Sequence, residues 1–266
     1  MEKIKVLVCG AAGKMGRQTV KTILQRDNIE LVAAVDTTEN AGKDAGELAT
    51  GKKIGIKIED SAEKVFKKEK IDVMVDFTNG KASPVNMSAA IFAGCACVVG
   101  STGISQESID DIRKKSEETG VPVLIAPNFS LGAVLMMRFS KSAAKYFEWA
   151  EIIELHHENK IDAPSGTAIR TADLMAQNRE TFNSPPAETE KIPGVRGGIR
   201  NGIRIHSVRM PGFLAHQEVN LGGVGEVLKI RHDSISRECF MSGVMLAIEK
   251  VRDLSGMVVG LENILE

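Results

Sequence analysis

The amino-acid sequence predicts an α/β protein in two domains, a doubly wound parallel sheet followed by a mixed α/β domain with an open sheet. Three observations support this prediction. Short apolar runs alternate with helical patterns through the first half of the chain, and a glycine-rich turn follows the first run. From about residue 150, apolar residues alternate with polar ones in segments that turn glycines separate.

The first domain is predicted from strand-length runs that are apolar throughout, because strands covered on both faces show no alternation. The predicted strands are Ile4–Cys9, Glu30–Val35, Ile71–Asp76, Ala96–Val99 and Val121–Ala126. The predicted helices run from the first strand to about Arg26, over SAEKVFKKEK, near Pro84–Ala93, and over ESIDDIRKKSEETG with Gly120 as C-cap. Helices alternating with such strands form parallel βαβ units.

The second domain is predicted from the change of pattern near Ala150. A strand, AEIIELHH, precedes a helix at Thr167–Gln177 and a long loop, NSPPAETEKIPGVRGG. Three further strands are GIRIHSVRM, HQEVNLGG and GEVLKIRHD, whose alternation leaves one face wet or packed on a partner. An amphipathic helix from Arg237 to about Arg252 is expected to return to the first domain. We therefore place the first domain at residues 1–129 with about 238–266, and the second at 130–237.

Composition narrows the class of protein. Of the 266 residues, 43% are hydrophobic and 26% are charged, which is ordinary for a globular chain with a substantial core. The net charge of −1 argues against a nucleic-acid or membrane surface, and no apolar run approaches the ~20 residues of a membrane span. Cys9, Cys95 and Cys97 lie in apolar runs without a CxxC motif, which predicts reduced thiols and a cytoplasmic protein.

The turn CGAAGKMGRQ is typical of a dinucleotide site on a Rossmann-like fold. Its glycines at 10, 13 and 16 follow a strand and open a helix, where backbone N–H groups can receive a pyrophosphate. Asp36 ends the second strand 20 residues after Gly16, in place to bind the adenosine ribose hydroxyls. Its carboxylate would repel a 2′-phosphate, and Thr37 and Thr38 follow it, with no arginine there to hold that phosphate. We therefore expect NADH to be used at least as well as NADPH.

Three further strand ends carry residues that suit the same crevice. They are DFTNG, VGSTG and IAPNFS, each with Gly, Ser, Thr or Asn beyond the carboxyl end of a strand. Together with the glycine turn and Asp36, they indicate that the first domain binds a dinucleotide.

The segment HHENKIDAPSGT collects several chemical groups on one loop. His156 and His157 point to opposite sides of a strand, so they serve different tasks. Lys160 can add a charge or donate a proton, and Gly166 and Thr167 open a helix whose N–H groups can hold a carboxylate. A surface loop with incidental histidines remains the alternative. No ligand spacing such as HExxH or CxxC is present, so no metal is expected.

A family resemblance rests on these residues. The segment EIIELHHENKIDAPSGTA, together with GAAGKMG, VDFT, GSTG, APNFSLG and IHSVRMPGFLAHQEV, closely resembles the 4-hydroxy-tetrahydrodipicolinate reductase (dihydrodipicolinate reductase) family of bacterial lysine and diaminopimelate biosynthesis. The resemblance extends along almost the whole chain. Its most specific part is HHxxKxDAPSGTA, whereas the glycine loop occurs in many families.

The resemblance implies a reaction and a set of site residues. The family reduces a cyclic dicarboxylate, with loss of water, to tetrahydrodipicolinate with NADH or NADPH. By resemblance, His156 is the proton donor or acceptor, Lys160 is a proton donor, and His157, Gly166 and Thr167 bind a substrate carboxylate. The implied cofactor residues are Gly10, Ala11, Ala12, Gly13, Lys14, Met15, Asp36, Gly100, Ser101, Thr102, Ala126, Pro127, Asn128 and Phe129. The family also implies a homotetramer assembled through the sheet of the second domain.

Two departures and two alternatives accompany the resemblance. The family often has GTTG where this chain has Ser101 in GSTG, and some members follow the acidic residue with arginine where this chain has Thr37. The second departure puts the use of NADPH in doubt. The alternatives are another two-domain Rossmann oxidoreductase, such as a semialdehyde dehydrogenase, and a non-catalytic NAD(H)-sensing protein.

Overall fold

The structure, a computed structural model, describes residues 2–265. In chain order its strands are β1 (Ile4–Cys9), β2 (Ile29–Val35), β3 (Ile58–Glu59), β4 (Val73–Asp76), β5 (Ala96–Val99), β6 (Val123–Ile125), β7 (Trp149–His156), β8 (Gly198–Arg200), β9 (Ile203–Arg209), β10 (Ala215–Gly223), β11 (Glu226–Ser234) and β12 (Met257–Val259). Its helices are α1 (Lys14–Ile23), α2 (Ala45–Thr50), α3 (Ala62–Phe66), α4 (Ala82–Phe92), α5 (Gln106–Thr119), α6 (Leu131–Ala143), α7 (Gly166–Ala176) and α8 (Met241–Lys250).

The chain divides into two compact units. Unit 1 extends to Phe129 and resumes at Phe240, and unit 2 is Ser130–Cys239. No helix within residues 2–265 has the length and apolar character that crossing a membrane requires.

Unit 1 is built on a seven-stranded parallel sheet in the order β12-β6-β5-β4-β1-β2-β3. The order reverses at β1, which pairs with β2 on one side and with β4 on the other. This is the topological switch point at which open α/β sheets bind ligands, beyond the carboxyl ends of the strands. The parallel, doubly wound sheet predicted from the apolar runs is confirmed.

The core of unit 1 explains why its strands carry no polar alternation. All residues of β4 and β5 are buried, because helices cover both faces of the sheet. Helix α5 starts where the Ser105 hydroxyl accepts a hydrogen bond from the Ser108 amide at 3.2 Å. It ends at Gly120, which has a φ of 73°, as its predicted role of C-cap requires.

Unit 2 is built on a mixed five-stranded sheet in the order β11-β10-β7-β9-β8. Strand β7 is antiparallel to β10 and parallel to β9. Alternate residues such as Ile152, Ile205 and Leu221 lie on one face, in a core shared with α7. The other face is open, as the alternation predicted.

Several elements differ from the prediction. The C-terminal helix is divided into a 3₁₀ turn at Arg237–Phe240, α8, and a second 3₁₀ turn at Val251–Asp253. Helix α6 was not predicted, although its residues LGAVLMMRFSKSA follow Ser130, whose hydroxyl caps the amide of Ala133 at 3.4 Å. Strands β3, β8 and β12 were also missed, since two or three residues give no period to recognise.

Candidate active site

A groove in unit 1 lies at the carboxyl ends of β1, β2 and β4. It has a volume of about 450 Å³. Its lining residues are Gly10, Ala12, Gly13, Val35, Asp36, Thr37, Asn40, Asp60, Phe77, Thr78, Asn79, Ala82 and Asn86. Four of the sequence-predicted cofactor residues therefore line one cavity, at the switch point of the sheet.

The glycine turn lets three backbone segments approach closely. Gly10 has a φ of +78°, and a Cβ there would lie 2.6 Å from the carbonyl oxygen of Phe77. A Cβ on Gly16 would lie 2.0 Å from the carbonyl oxygen of Gly10. Gly13 is the N-cap of α1 and has no side chain, so no side chain caps the amides of the first turn. Lys14 and Met15 begin the helix, and these amides suit a phosphate.

The Asp36 carboxylate is held firmly at the end of β2. Oδ2 accepts from the amide of Ala12 at 2.8 Å, and Oδ1 accepts from Asn40 Nδ2 at 2.9 Å and from the amide of Thr37 at 2.8 Å. Burial raises the pKa of Asp36. The hydrogen bonds that the carboxylate accepts outweigh burial, and that from Asn40 has the largest effect among them, so the pKa lies below its ordinary value. Asp36 is therefore a fixed negative charge in the groove at neutral pH.

A second carboxylate, Asp76, joins the loops that follow β4 and β5. It is buried, and it accepts hydrogen bonds from Thr78 Oγ1 at 2.7 Å, Ser101 Oγ at 2.6 Å and Asn86 Nδ2 at 2.8 Å. The hydroxyl of Ser101, predicted to contact the cofactor, is thus engaged with Asp76. We did not single out Asp76 from the sequence, although a carboxylate at the end of an all-apolar strand was a visible signal.

The remaining predicted cofactor residues follow β5 and β6. A Cβ on Gly100 would lie 2.3 Å from the Phe77 ring, and that ring makes an edge contact with Phe129 at a centroid distance of 5.7 Å. Ala126 is buried, whereas Thr102 and Pro127 are exposed. Ala11 is buried below the turn. The side chains of Thr102 and Pro127 are therefore accessible to a cofactor, whereas those of Ala11 and Ala126 are not.

The predicted chemical loop connects β7 with α7 in unit 2. His156 is the last residue of β7 and is half-buried. The amide of Lys160 donates to the carbonyl of His157 at 3.1 Å, which turns the chain back. Lys160 Nζ lies 2.7 Å from Asp162 Oδ1 in an ion pair. The peptide bond between Ala163 and Pro164 is cis.

Glu154 of β7 is a buried carboxylate that contacts both ends of this loop. Arg209 of β9 donates to both of its oxygens at 2.8 Å, and His156 Nδ1 lies 2.5 Å from Oε2. Burial raises the pKa of Glu154, but hydrogen bonds with His156 and Arg209 outweigh burial and hold the pKa at about 2. Glu154 is therefore ionised at neutral pH.

Helix α7 begins next to this cluster. The Ser165 hydroxyl caps the helix by accepting from the amide of Ala168 at 3.2 Å, and the Ser165 amide donates to Glu154 Oε1 at 3.1 Å. Gly166 is exposed, and a Cβ there would meet nothing within 4 Å. Thr167 is half-buried. The N-terminus of α7 therefore faces open space in which an anion can bind.

Sequence reasoning missed both Glu154 and Arg209. The signal for Glu154 was its register, since Ala150, Ile152 and Glu154 share the buried face of β7 and only the last is charged. Arg209 gave no such signal, because it meets Glu154 only through the pairing of β7 with β9. The roles expected of His156, His157, Lys160, Gly166 and Thr167 stay predictions.

Three of the four cysteine thiols are buried in unit 1. Burial raises the pKa values of Cys9, Cys95 and Cys97, so none of these three is poised as a thiolate nucleophile. No cluster of three or more metal-binding side chains occurs among residues 2–265. The cysteine chemistry of a semialdehyde dehydrogenase therefore has no support from the three buried thiols.

Family models for both domains match this chain. The family model for the N-terminus of dihydrodipicolinate reductase matches residues 4–129, and the model for its C-terminus matches residues 132–265. A 4-hydroxy-tetrahydrodipicolinate reductase of Desulfitobacterium hafniense is 50% identical, with all of both chains covered. One of Moorella thermoacetica is 49% identical, with 99% of this chain and 98% of the relative covered.

Solved structures show the same fold. A dipicolinate-bound dihydrodipicolinate reductase from Paenisporosarcina sp. TG-14 has a TM-score of 0.89 and 38% identity, covering 99% of this chain and 100% of its own. An amine dehydrogenase from Mycobacterium smegmatis shares the fold alone, with a TM-score of 0.71 and 15% identity over 97% of this chain and 95% of its own. Two family models that together span the chain, and relatives half identical to it, establish its membership. The chain belongs to the dihydrodipicolinate reductase family.

Proposed function

We propose that this protein reduces 4-hydroxy-tetrahydrodipicolinate to tetrahydrodipicolinate with NAD(P)H, in the diaminopimelate and lysine pathway. The reaction takes up one hydride and one proton and releases one water. The observation that carries the proposal is the connection from β7 to α7, because His156, Lys160 and a helix N-terminus that opens to space all lie on this one segment of unit 2. Such a group of residues suits a small anionic substrate that must be protonated.

Unit 1 holds the dinucleotide in this proposal. The uncapped amides at the start of α1 bind the pyrophosphate, and Asp36 binds the ribose of the adenosine half. The loops after β5 and β6, which include Ser101 and Asn128, hold the nicotinamide half. When bound, the reduced nicotinamide supplies the hydride.

Unit 2 holds and protonates the substrate. One substrate carboxylate binds at the amides of Gly166 and Thr167, with His157 nearby in the chain, and Lys160 adds a positive charge. Lys160 is paired with Asp162, which is largely exposed, so a substrate carboxylate can take the place of Asp162. His156 or Lys160 delivers the proton.

The test is loss of NADH absorbance with freshly generated 4-hydroxy-tetrahydrodipicolinate. We expect turnover that depends on the substrate and that dipicolinate, a planar dicarboxylate, inhibits. Enzyme without substrate is the control. An NAD(H)-sensing protein would bind NADH but oxidise none, and that result would overturn the proposal.

We propose that NADH is used at least as well as NADPH. The support is the ionised, fixed carboxylate of Asp36, which would repel a 2′-phosphate. One nearby cation bears on this proposal: Lys43 Nζ donates to Asn40 Oδ1 at 2.7 Å. Comparing kcat/KM for the two cofactors in the wild type and in Lys43→Ala tests the proposal. A strong NADPH preference in the wild type that Lys43→Ala abolishes would contradict it and identify the 2′-phosphate contact.

We also propose a cytoplasmic homotetramer assembled through the open sheet face of unit 2. That face carries a groove of about 470 Å³, and its lining includes the exposed apolar residues Trp149, Ile199 and Val227. Apolar residues grouped on an open sheet face favour burial against another copy. The three buried free thiols suit a reducing compartment.

A further inference from the structure

The hydrogen bonds around Glu154 determine which nitrogen of His156 carries a proton. Arg209 and the amide of Ser165 can only donate, and they donate to both oxygens of Glu154. A carboxylate that receives these donors is an acceptor at each of its oxygens. His156 Nδ1, at 2.5 Å from Oε2, is therefore the donor in that contact.

This assignment leaves the other ring nitrogen for chemistry. Nε2 lies on the opposite edge of the imidazole from Nδ1, so it points away from Glu154. With Nδ1 protonated, Nε2 is the position that gains or loses a proton when the ring reacts. The buried carboxylate of Glu154 thus determines the orientation of the imidazole ring.

The same carboxylate also fixes the start of α7. The amide of Ser165 donates to Glu154 Oε1, and the next two residues are the proposed carboxylate site, Gly166 and Thr167. Arg209 adds a bond to the carbonyl of Asp162 at 2.7 Å, so the far side of the loop is anchored to the same pair. One buried ion pair therefore connects the imidazole, the loop and the helix terminus.

We propose that Glu154 is a positioning residue, which holds His156 with its proton on Nδ1 and sets the imidazole at a fixed place relative to the N-terminus of α7. This inference rests on the proposed function, in which His156 handles the proton and α7 binds a carboxylate. Glu154 does not touch the substrate in it, and it acts through His156 and Ser165.

The kinetic test replaces Glu154 with Gln, which has the same shape but no charge. An amide has an NH₂ group at one end. That group would face donors at either place, Arg209 and Ser165 at the place of Oε1 or Arg209 and His156 at the place of Oε2, so the cluster cannot keep all its hydrogen bonds. We expect kcat to fall on the order of 10²-fold, since a proton donor loses its position, with the KM for NADH unchanged. Asp173→Asn is the matched control, because Asp173 also accepts two bonds from one arginine, Arg200 at 2.8 and 3.1 Å, without a histidine partner. It should leave kcat unchanged.

A spectroscopic test on the wild type decides the matter without turnover. In ¹⁵N-labelled wild type, with His156→Gln used for assignment, we expect neutral His156 to carry its proton on Nδ1. A proton on Nε2 would overturn the proposal, as would full kcat in Glu154→Gln. If the wild type instead fails to oxidise NADH with substrate, the proposed function fails, and the tautomer still decides the role of Glu154.

Discussion

Two proton-carrying side chains of unit 2 are held in different ways. His156 contacts a carboxylate that is fully buried, whereas Lys160 pairs with Asp162, whose side chain is 64% exposed. An exposed pair contributes about 0–1 kcal/mol and exchanges readily, while a buried pair is costly to break. His156 is therefore held by a buried partner, and we expect Lys160 to exchange its exposed partner for an anionic ligand more readily.

The first prediction concerns these two residues. His156→Gln and Lys160→Ala should each lower kcat by about 10²–10⁴-fold, the usual cost of removing a positioned acid. NADH affinity, measured by fluorescence titration, should stay unchanged, because neither residue belongs to the dinucleotide groove. Lys67→Ala is the control, since Lys67 is an exposed lysine of unit 1 that pairs with the exposed Glu63. Near-normal turnover in both variants would refute the catalytic assignment.

The second prediction concerns acid stability. The pKa of Glu154 is about 2 in the folded protein against an ordinary 4.5, so ionised Glu154 stabilises the folded state above pH 4.5. That stabilisation is lost as the pH falls from 4.5 towards 2. The difference in unfolding free energy between wild type and Glu154→Gln should therefore narrow, by about 1 kcal/mol between pH 5 and pH 3.5. Urea unfolding at each pH measures it, and a difference that does not vary with pH would contradict the prediction.

At the scale of elements, the two strand-to-helix connections of the candidate site are built differently. The turn from β1 to α1 has no capping side chain and depends on glycine for close backbone contact. The connection from β7 to α7 is longer and polar, with Ser165 as a cap and Glu154 behind it. The connection from β1 to α1 suits a ligand that lies against the backbone. The connection from β7 to α7 also offers side chains that can transfer protons.

The third prediction follows from the first of these connections. In Gly16→Ala the new Cβ would lie 2.0 Å from the carbonyl oxygen of Gly10, and backbone atoms cannot give way easily. We expect a loss of about 1–3 kcal/mol in stability and weaker NADH binding, because the start of α1 must shift. Gly198→Ala, where a Cβ meets nothing within 4 Å, should change neither property. Thermal unfolding measures the stability of the two variants, and titration measures their affinity for NADH. Equal stability and equal affinity in the two variants would refute the prediction.

At the scale of the whole molecule, the chain leaves unit 1 at Phe129 and returns to it at Phe240. Unit 2 is therefore inserted within a continuous sheet, since β12 pairs with β6 at the edge of unit 1. Each unit has its own core and its own part of the proposed reaction. The open face of the unit 2 sheet is the proposed assembly surface.

The fourth prediction concerns that face. Light scattering should give a mass four times that of the 28.7 kDa chain. Val227→Arg should lower the mass, because Val227 is 63% exposed in the groove of the open face and a charge there resists burial. Val85→Arg is the control, because Val85 is an exposed residue of α4 in unit 1, and this variant should keep the mass of the wild type. A single-chain mass for the wild type would contradict the proposed assembly.

The residue pattern alone was enough to predict the class of the fold, and it also indicated one segment where groups suited to proton transfer lie together in the chain. All-apolar runs such as ACVV and the spacing from Gly16 to Asp36 sufficed, because burial and close backbone approach leave local marks on residue type. The contacts that hold His156, by contrast, could be found only in the folded chain. Glu154 and Arg209 are 55 residues apart, and Asp76 and Ser101 are 25 apart, so each pair meets only through strand register and loop packing. The local pattern of apolar and polar residues cannot predict such contacts, because they depend on which strands become neighbours in the sheet.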